Sequence, residues 1–138
     1  MDKTAWGDGP WQTESDYHEW VDARTGFDCY IQRNRSGALC GYVGLPKGHE
    51  FCGAHYSEVP WRRADVHGGL TWSSGRKGLW WLGFDCAHSE DYCPRLALAP
   101  EPTHHLVYRD FAYVKAEVEK MAQQLFEPLA ALAACAGG

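Results

Sequence analysis

Toward the C-terminal end, the stretch YRDFAYVKAEVEKMAQQL places Phe111, Val114, Val118, Met121 and Leu125 at intervals of 3, 4, 3 and 4. That spacing lines one side of a helical turn with apolar groups, so it predicts an amphipathic helix whose stripe packs on a sheet. Pro128 ends or kinks the helix. The Ala/Leu-rich tail to Gly138 then forms one more short helix or packs against a second copy as a homodimer.

Earlier in the chain the pattern is that of strands. Phe27 to Arg33 and Ala38 to Val43 flank Asn34-Arg35-Ser36-Gly37, whose Asn and Gly suit the positive-φ positions of a hairpin turn. A second pair, Asp65 to Trp72 and Gly78 to Cys86, is joined by the polar run Ser73 to Lys77. Between the pairs, GLPKGHEFCGAHYSEVP (44–60) is broken by Pro and Gly and reads as a long loop. Loops of that length are often functional, and Lys47, His49, Tyr56, Arg62 and Arg63 in or beside it are placed to close over a ligand. Residues 1–26 show no sustained period and read as a loosely ordered segment with at most a helical turn around Tyr17 to Ala23. The expectation is a single α+β domain over 27–138: a mostly antiparallel sheet of four or more strands with the C-terminal helix across one face.

Side-chain alternation sorts the second strand pair into faces. Val66, Leu70 and Trp72 fall on one side with Gly68, and His67 and Thr71 on the other with Gly69. Likewise Trp80, Leu82, Phe84 and Cys86 form an apolar face, opposite Trp81 and Asp85 with Gly83. If the apolar faces meet the helix, His67, Thr71, Trp81 and Asp85 project together around two glycines that leave room for a bound group. Just past the strand, His88 and Asp91 join them from a loop.

Three readings of that cluster stand open. His67, Asp85, His88 and Asp91 can hold a divalent metal such as Zn, Mn or Mg, or act without metal as acid and base, and either arrangement is hydrolytic. In a binding pocket Trp81 stacks on a base, Asp85 accepts from a ribose hydroxyl or base amine, and His67 donates to a phosphate, with Thr71 and His88 fixing orientation. In a purely structural reading, His67 and Asp85 bond each other or nearby backbone to stabilise a Gly-rich hairpin.

Composition narrows the classes. A chain of 138 residues supports one core, and seven Trp, seven Tyr and five Phe are more rings than such a core hides, so some are part-exposed and free to stack on planar ligands. With a net charge of −5 and no Lys/Arg run beyond two residues, a long nucleic acid is not the expected partner. The pairs Arg33/Arg35, Arg62/Arg63 and Arg76/Lys77 can each meet one phosphate or simply be solvated. The N-terminus carries no apolar signal core and no apolar run approaches the ~18 residues of a membrane span, which predicts a cytosolic protein with no membrane partner. There the six cysteines read as reduced thiols. No CxxC pair occurs, and Cys52 with His55, or Cys86 with His88 and Cys93, match no structural zinc module. Cys29, Cys40 and Cys86 read as buried rather than reactive, and His104 and His105 as capping or surface residues. Walker, GxSxG and GxGxxG motifs are absent, which disfavours P-loop hydrolysis, serine-esterase chemistry and a Rossmann cofactor.

In order, CGYVGLPKGHEF, VHGGLTW, WWLGFDCAH and YRDFAYVKAEVEKMAQQL resemble a group of small bacteriophage and prophage proteins over residues 27–125. No activity is carried over residue by residue; the resemblance implies a setting, the bacterial host cytosol, where small phage proteins disarm host defence. The expected function is therefore capture of a small nucleotide-derived ligand such as an immune signal. Alternatives are a phosphodiester hydrolase using His67, Asp85, His88 and Asp91, and an inhibitor that binds a host defence protein directly.

Overall fold

The Asn34–Gly37 turn forms as its residue types predict. The Asn34 side-chain oxygen accepts from the Ser36 and Ala38 amides (3.0 and 3.1 Å), and Gly37 sits at φ 92°. It joins strands β2 (Asp28–Arg33) and β3 (Leu39–Leu45), paired antiparallel from Asp28↔Gly44 to Arg33↔Leu39. In this computed structural model, which describes residues 1–98 and 102–127, those strands belong to one five-stranded antiparallel sheet. The others are β1 (Tyr17–Val21), β4 (Trp72–Arg76) and β5 (Leu79–Asp85), and the spatial order is β1-β2-β3-β5-β4. Helix α1 (Phe111–Phe126) completes the α+β architecture, started by Asp110, whose carboxylate accepts from the Tyr113 amide (2.9 Å). The tail after Pro128, and with it the second short helix or homodimer contact, lies outside the described residues.

The predicted stripe packs on the sheet. Val114, Val118, Met121 and Leu125 are buried, joined by Ala122, with Phe111 partly buried against the same core. They meet Ile31, Leu39, Val43, Leu45, Leu82 and Phe84. Gly41 lets the helix approach β3: a Cβ there would lie 2.4 Å from Val118 Cγ2. The parity of β5 is as expected, with Leu82 and Phe84 in this core.

Three expectations need correction. Residues 17–21 form an edge strand rather than a helical turn, in register from Tyr17↔Gln32 to Val21↔Asp28. Their exposure alternates with period two, a pattern too short to stand out in a polar segment. Nor are residues 1–16 loose: Trp6 and Trp11 are buried, and Arg33 reaches Asp16 (2.7 Å), Glu14 (3.2 Å) and the Tyr108 hydroxyl (2.8 Å). An arginine so buried needs those partners, so the segment is clipped to the sheet by its charges.

The second correction concerns the strand expected over Asp65–Trp72. Gly68 and Gly69 both adopt positive φ (70° and 78°), and the Gly69 amide bonds back to the Val66 carbonyl (2.9 Å), so residues 64–71 are irregular and the strand begins only at Trp72. It then runs through Ser73–Arg76, and the hairpin turns at Lys77-Gly78, both at positive φ, the two-residue geometry whose twist matches paired strands. Trp72 consequently shares a face with Trp81, not with the core. Third, two of the loop residues expected over a ligand, His49 and Arg63, are turned to the helix instead. Arg63 is buried, pairs with Glu50 and donates to the Gln124 and Glu127 carbonyls at the C-terminal end of α1, where His49 also meets the Leu125 carbonyl (2.6 Å).

Candidate functional site

The residues singled out by pattern fall into two regions. His67, His88, Asp85, Asp91 and Thr71 lie together at the end of the sheet rather than as a floor on one face, in two hydrogen-bonded groups, Asp91 with His67 and the His88 amide and Asp85 with Thr71, that meet where the His88 ring approaches Asp85. Asp91 is the centre of the first. Its side chain is 1% exposed and accepts from His67 Nε2 (2.9 Å), Arg109 Nε (2.9 Å) and the His88 amide (3.0 Å). Burial pushes this carboxyl up, yet the bonds from Arg109, His67 and His88 outweigh it and hold Asp91 below the usual carboxylate range. The other ring nitrogen of His67, Nδ1, lies 2.8 Å from the Tyr113 hydroxyl on α1, and the His67 amide donates to Glu117 (2.9 Å).

His67 therefore sits on the helix side, not on the face opposite, because the Gly68-Gly69 turn breaks the alternation that predicted otherwise. The Asp85 carboxylate accepts from the Thr71 hydroxyl (2.9 Å) and the Ala87 amide (3.0 Å), with His88 Nε2 3.4 Å away. The His88 ring rests on Gly68, where a Cβ would come within 2.1 Å of Nε2, and lies 5.8 Å from the His67 ring. Among the described residues, no group of three or more His, Cys, Asp and Glu side chains is arranged to hold a metal ion. The oxygens of Asp91 are committed to donors instead.

The second region is the sheet face away from α1. Strand register puts Glu19, Tyr30, Tyr42, Gly83 and Trp72 in one lateral row across all five strands. Tyr42 stacks on Tyr30 (centroids 4.2 Å, 18°), Tyr17 stacks on Tyr30 from the other side (5.7 Å, 26°), and Trp72 meets Tyr42 edge-on (5.2 Å). The neighbouring row holds Asp28, Gly44 and Trp81, and Trp81 meets Tyr30 edge-on (4.9 Å). Of the two glycines expected to leave room for a ligand, Gly83 is covered by the Tyr42 ring, whereas a Cβ at Gly69 would meet nothing within 4 Å; the Trp81 indole lies over a further glycine, Gly44. Trp81 is buried, with Nε1 donating to the Arg76 carbonyl (2.9 Å); the exposed rings are Tyr17 and Trp72.

A cleft of about 450 Å³ opens on this face, walled by Tyr17, Tyr30 and Trp81, with Glu19 and Asp28 along one side and Arg76 and Lys77 along the other. Arg76 lies over the Tyr30 ring (4.8 Å to the centroid), and the Tyr17 and Tyr30 hydroxyls favour its charged form. Neither Arg76 nor Lys77 is paired with a carboxylate among the described residues. At the other end of the face, Thr71, Asp85, Tyr42 and Trp72 border a shallower hollow of about 340 Å³. Pattern reasoning put only Trp81 in the cleft. Arg76/Lys77 was visible as a basic pair and Asp28 lies in a predicted strand, but Tyr17 and Glu19 depend on an edge strand the sequence did not announce.

By fold and site, the chain is a small α+β domain: an antiparallel sheet backed by one helix, with an aromatic, charged cleft on its other face. Compared with protein-family models, curated proteins and solved structures, it matches none. No helix among the described residues is long and apolar enough to cross a membrane.

Proposed function

We propose that the protein captures a small nucleotide-derived ligand in the cleft between Tyr17 and Arg76. The carrying observation is that planar rings, an arginine without a carboxylate partner and two acidic side chains line the same 450 Å³ space. That volume is of ligand size. A base stacks on Tyr17, where each such contact contributes about 1–3 kcal/mol. Phosphate oxygens meet Arg76 and Lys77, and Asp28 and Glu19 accept from a base amine or ribose hydroxyl. The net charge of −5 opposes a long polyanion but tolerates a ligand whose one or two phosphates meet local cations. In the phage setting that the resemblance implies, the ligand class is a host immune signal and the role is sequestration.

The test is to incubate the protein with a panel of cyclic and ADP-ribose-type nucleotides, measure free ligand by mass spectrometry, then denature and measure again. One ligand should be depleted and return intact, and Arg76→Ala should weaken its binding by about tenfold or more, as loss of a charge-assisted bond implies. Depletion of no ligand overturns the proposal and turns attention to a host protein as partner of this face.

A further inference from the structure

On the opposite side of the molecule, four side chains form a relay the cleft does not use. Asp91 is held ionised by Arg109, and an ionised carboxylate only accepts, so the proton between it and His67 resides on His67 Nε2. In the neutral imidazole Nδ1 is then a bare acceptor, and Tyr113 Oη, 2.8 Å away, donates its proton to it. Exposure rises along the relay, from 1% at the Asp91 side chain through 14% at His67 to 36% at Tyr113. Arg109 spends Nε on Asp91; its two terminal nitrogens have no partner among the described residues, and its guanidinium lies over the Tyr113 ring (5.3 Å).

We infer that Tyr113 is a base-assisted nucleophile for phosphoryl transfer, with His67 taking its proton, Asp91 positioning His67, and Arg109 receiving the phosphoryl oxygens. A merely structural bond is not needed here, because the His67 amide already fastens this turn to α1 through Glu117. Burial, and then Glu117, keep the Tyr113 phenol above its ordinary value, with Arg109 opposing them, so the phenol reaches a reaction protonated and its proton must leave as the new bond forms. In the step, Tyr113 Oη bonds to phosphorus and the bond from phosphorus to the leaving oxygen breaks. The phenolic proton passes to His67 Nδ1, and the leaving oxygen, on the far side of phosphorus from Tyr113, takes its proton from solvent. Around the imidazole stand Asp91, Tyr113 and the His88 ring, with Arg109 beyond Asp91 and Glu117, paired to Lys120, beneath its backbone. The substrate class is a phosphate ester whose anionic oxygens fit the free fork of Arg109.

The test uses the intact chain and an alkyl fluorophosphonate, with sites of modification mapped by peptide mass spectrometry. Attack by tyrosine forms the O–P bond and expels fluoride. Tyr113 should be modified about a hundredfold faster than Tyr17, the low end of general-base assistance, although Tyr17 is the more exposed. His67→Ala should bring Tyr113 down to the Tyr17 rate with the far-UV spectrum unchanged, and added imidazole should restore the difference. Equal rates at Tyr113 and Tyr17, an undiminished rate in His67→Ala, or failure of imidazole to rescue the folded variant each overturns the inference. None of these outcomes bears on ligand capture in the cleft.

Discussion

Replacing Asp91 by Asn changes almost no volume and removes one charge from the most connected side chain at the end of the sheet. In the protein its carboxylate serves His67, Arg109 and the His88 amide at 2.9–3.0 Å. The amide has a single acceptor oxygen and turns an NH₂ toward either His67 or Arg109, so one strong bond is lost and a donor faces a donor. Breaking a buried ion pair costs about 3–5 kcal/mol, but the Arg109 and His67 side chains are 22% and 14% exposed and water recovers part of this. A loss of roughly 2–3 kcal/mol follows, equivalent to about 8–12 °C in Tm for a domain of this size. The pH dependence follows from the depressed carboxyl: Asp91 contributes its stability above the unfolded Asp value near 3.9, and that contribution is lost as pH falls through the lower folded value. Urea melts of both proteins at pH 7 and in steps down to pH 3 should show a gap that is widest at pH 7 and closes in acid. A variant within about 0.5 kcal/mol of the parent at pH 7, the range of an ordinary surface substitution, would refute the reasoning. So would a gap that stays constant down to pH 3.

Two further outcomes check the sheet faces. Gly83→Ala would set a Cβ 2.5 Å from the Tyr42 ring, displacing it from between Tyr30 and Trp72; stability should fall by about 1–3 kcal/mol and the near-UV circular dichroism of the stacked rings should change. An unaltered spectrum with unaltered stability would mean that Tyr42 does not cover Gly83. Burial pushes the Cys29 and Cys40 thiols up to about 12 and about 11, and raises Cys86 and Cys93 too, whereas Cys52 is exposed. Iodoacetamide at pH 7.5 should therefore modify Cys52 in the native protein and Cys29, Cys40, Cys86 and Cys93 only in denaturant; native modification of Cys29 or Cys86 would count against the packing of α1 on the sheet.

How far the fold was legible depended on how many residues repeated one local rule. The α1 stripe has five apolar positions in phase, and in the structure four of them are fully buried while Phe111 packs at the margin. In β5 the alternation of Leu82 and Phe84 against Trp81 and Gly83 spans a full strand and survived intact. The stretch before it failed because its alternation passed through Gly68-Gly69. Each glycine admits positive φ, and two in succession let the chain turn, so parity on one side says nothing about parity on the other. That single turn accounts both for the late start of β4 and for the transfer of His67 to the helix side. The edge strand β1 went unread for a different reason: its side chains are mostly polar or part-exposed, and what holds it is pairing with β2 and the buried Arg33, neither of which is local.

The candidate site was legible in its residue types more than in its geometry. Clustering of His67, Asp85, His88 and Asp91 followed from their closeness to one strand end, and the structure does bring them into one connected set. The sequence could not show that Arg109, from the loop before α1, would bond Asp91, or that Tyr113 on α1 would take the His67 ring nitrogen that Asp91 leaves open. Once they do, the Asp91 oxygens and both ring nitrogens of His67 have partners within the protein. The excess of aromatic residues is resolved in the same way. Five of the rings, Tyr17, Tyr30, Tyr42, Trp72 and Trp81, stand on the sheet face away from α1, one from each strand, with Tyr30 directly opposite Tyr42 in register. A glycine on β3 and another on β5 let two rings lie flat, and this leaves Tyr17 and Arg76 lining the cleft. The two proposals thus rest on opposite sides of one sheet, ligand capture on the aromatic face and base-assisted attack at the helix side, and each fails or succeeds on its own residues.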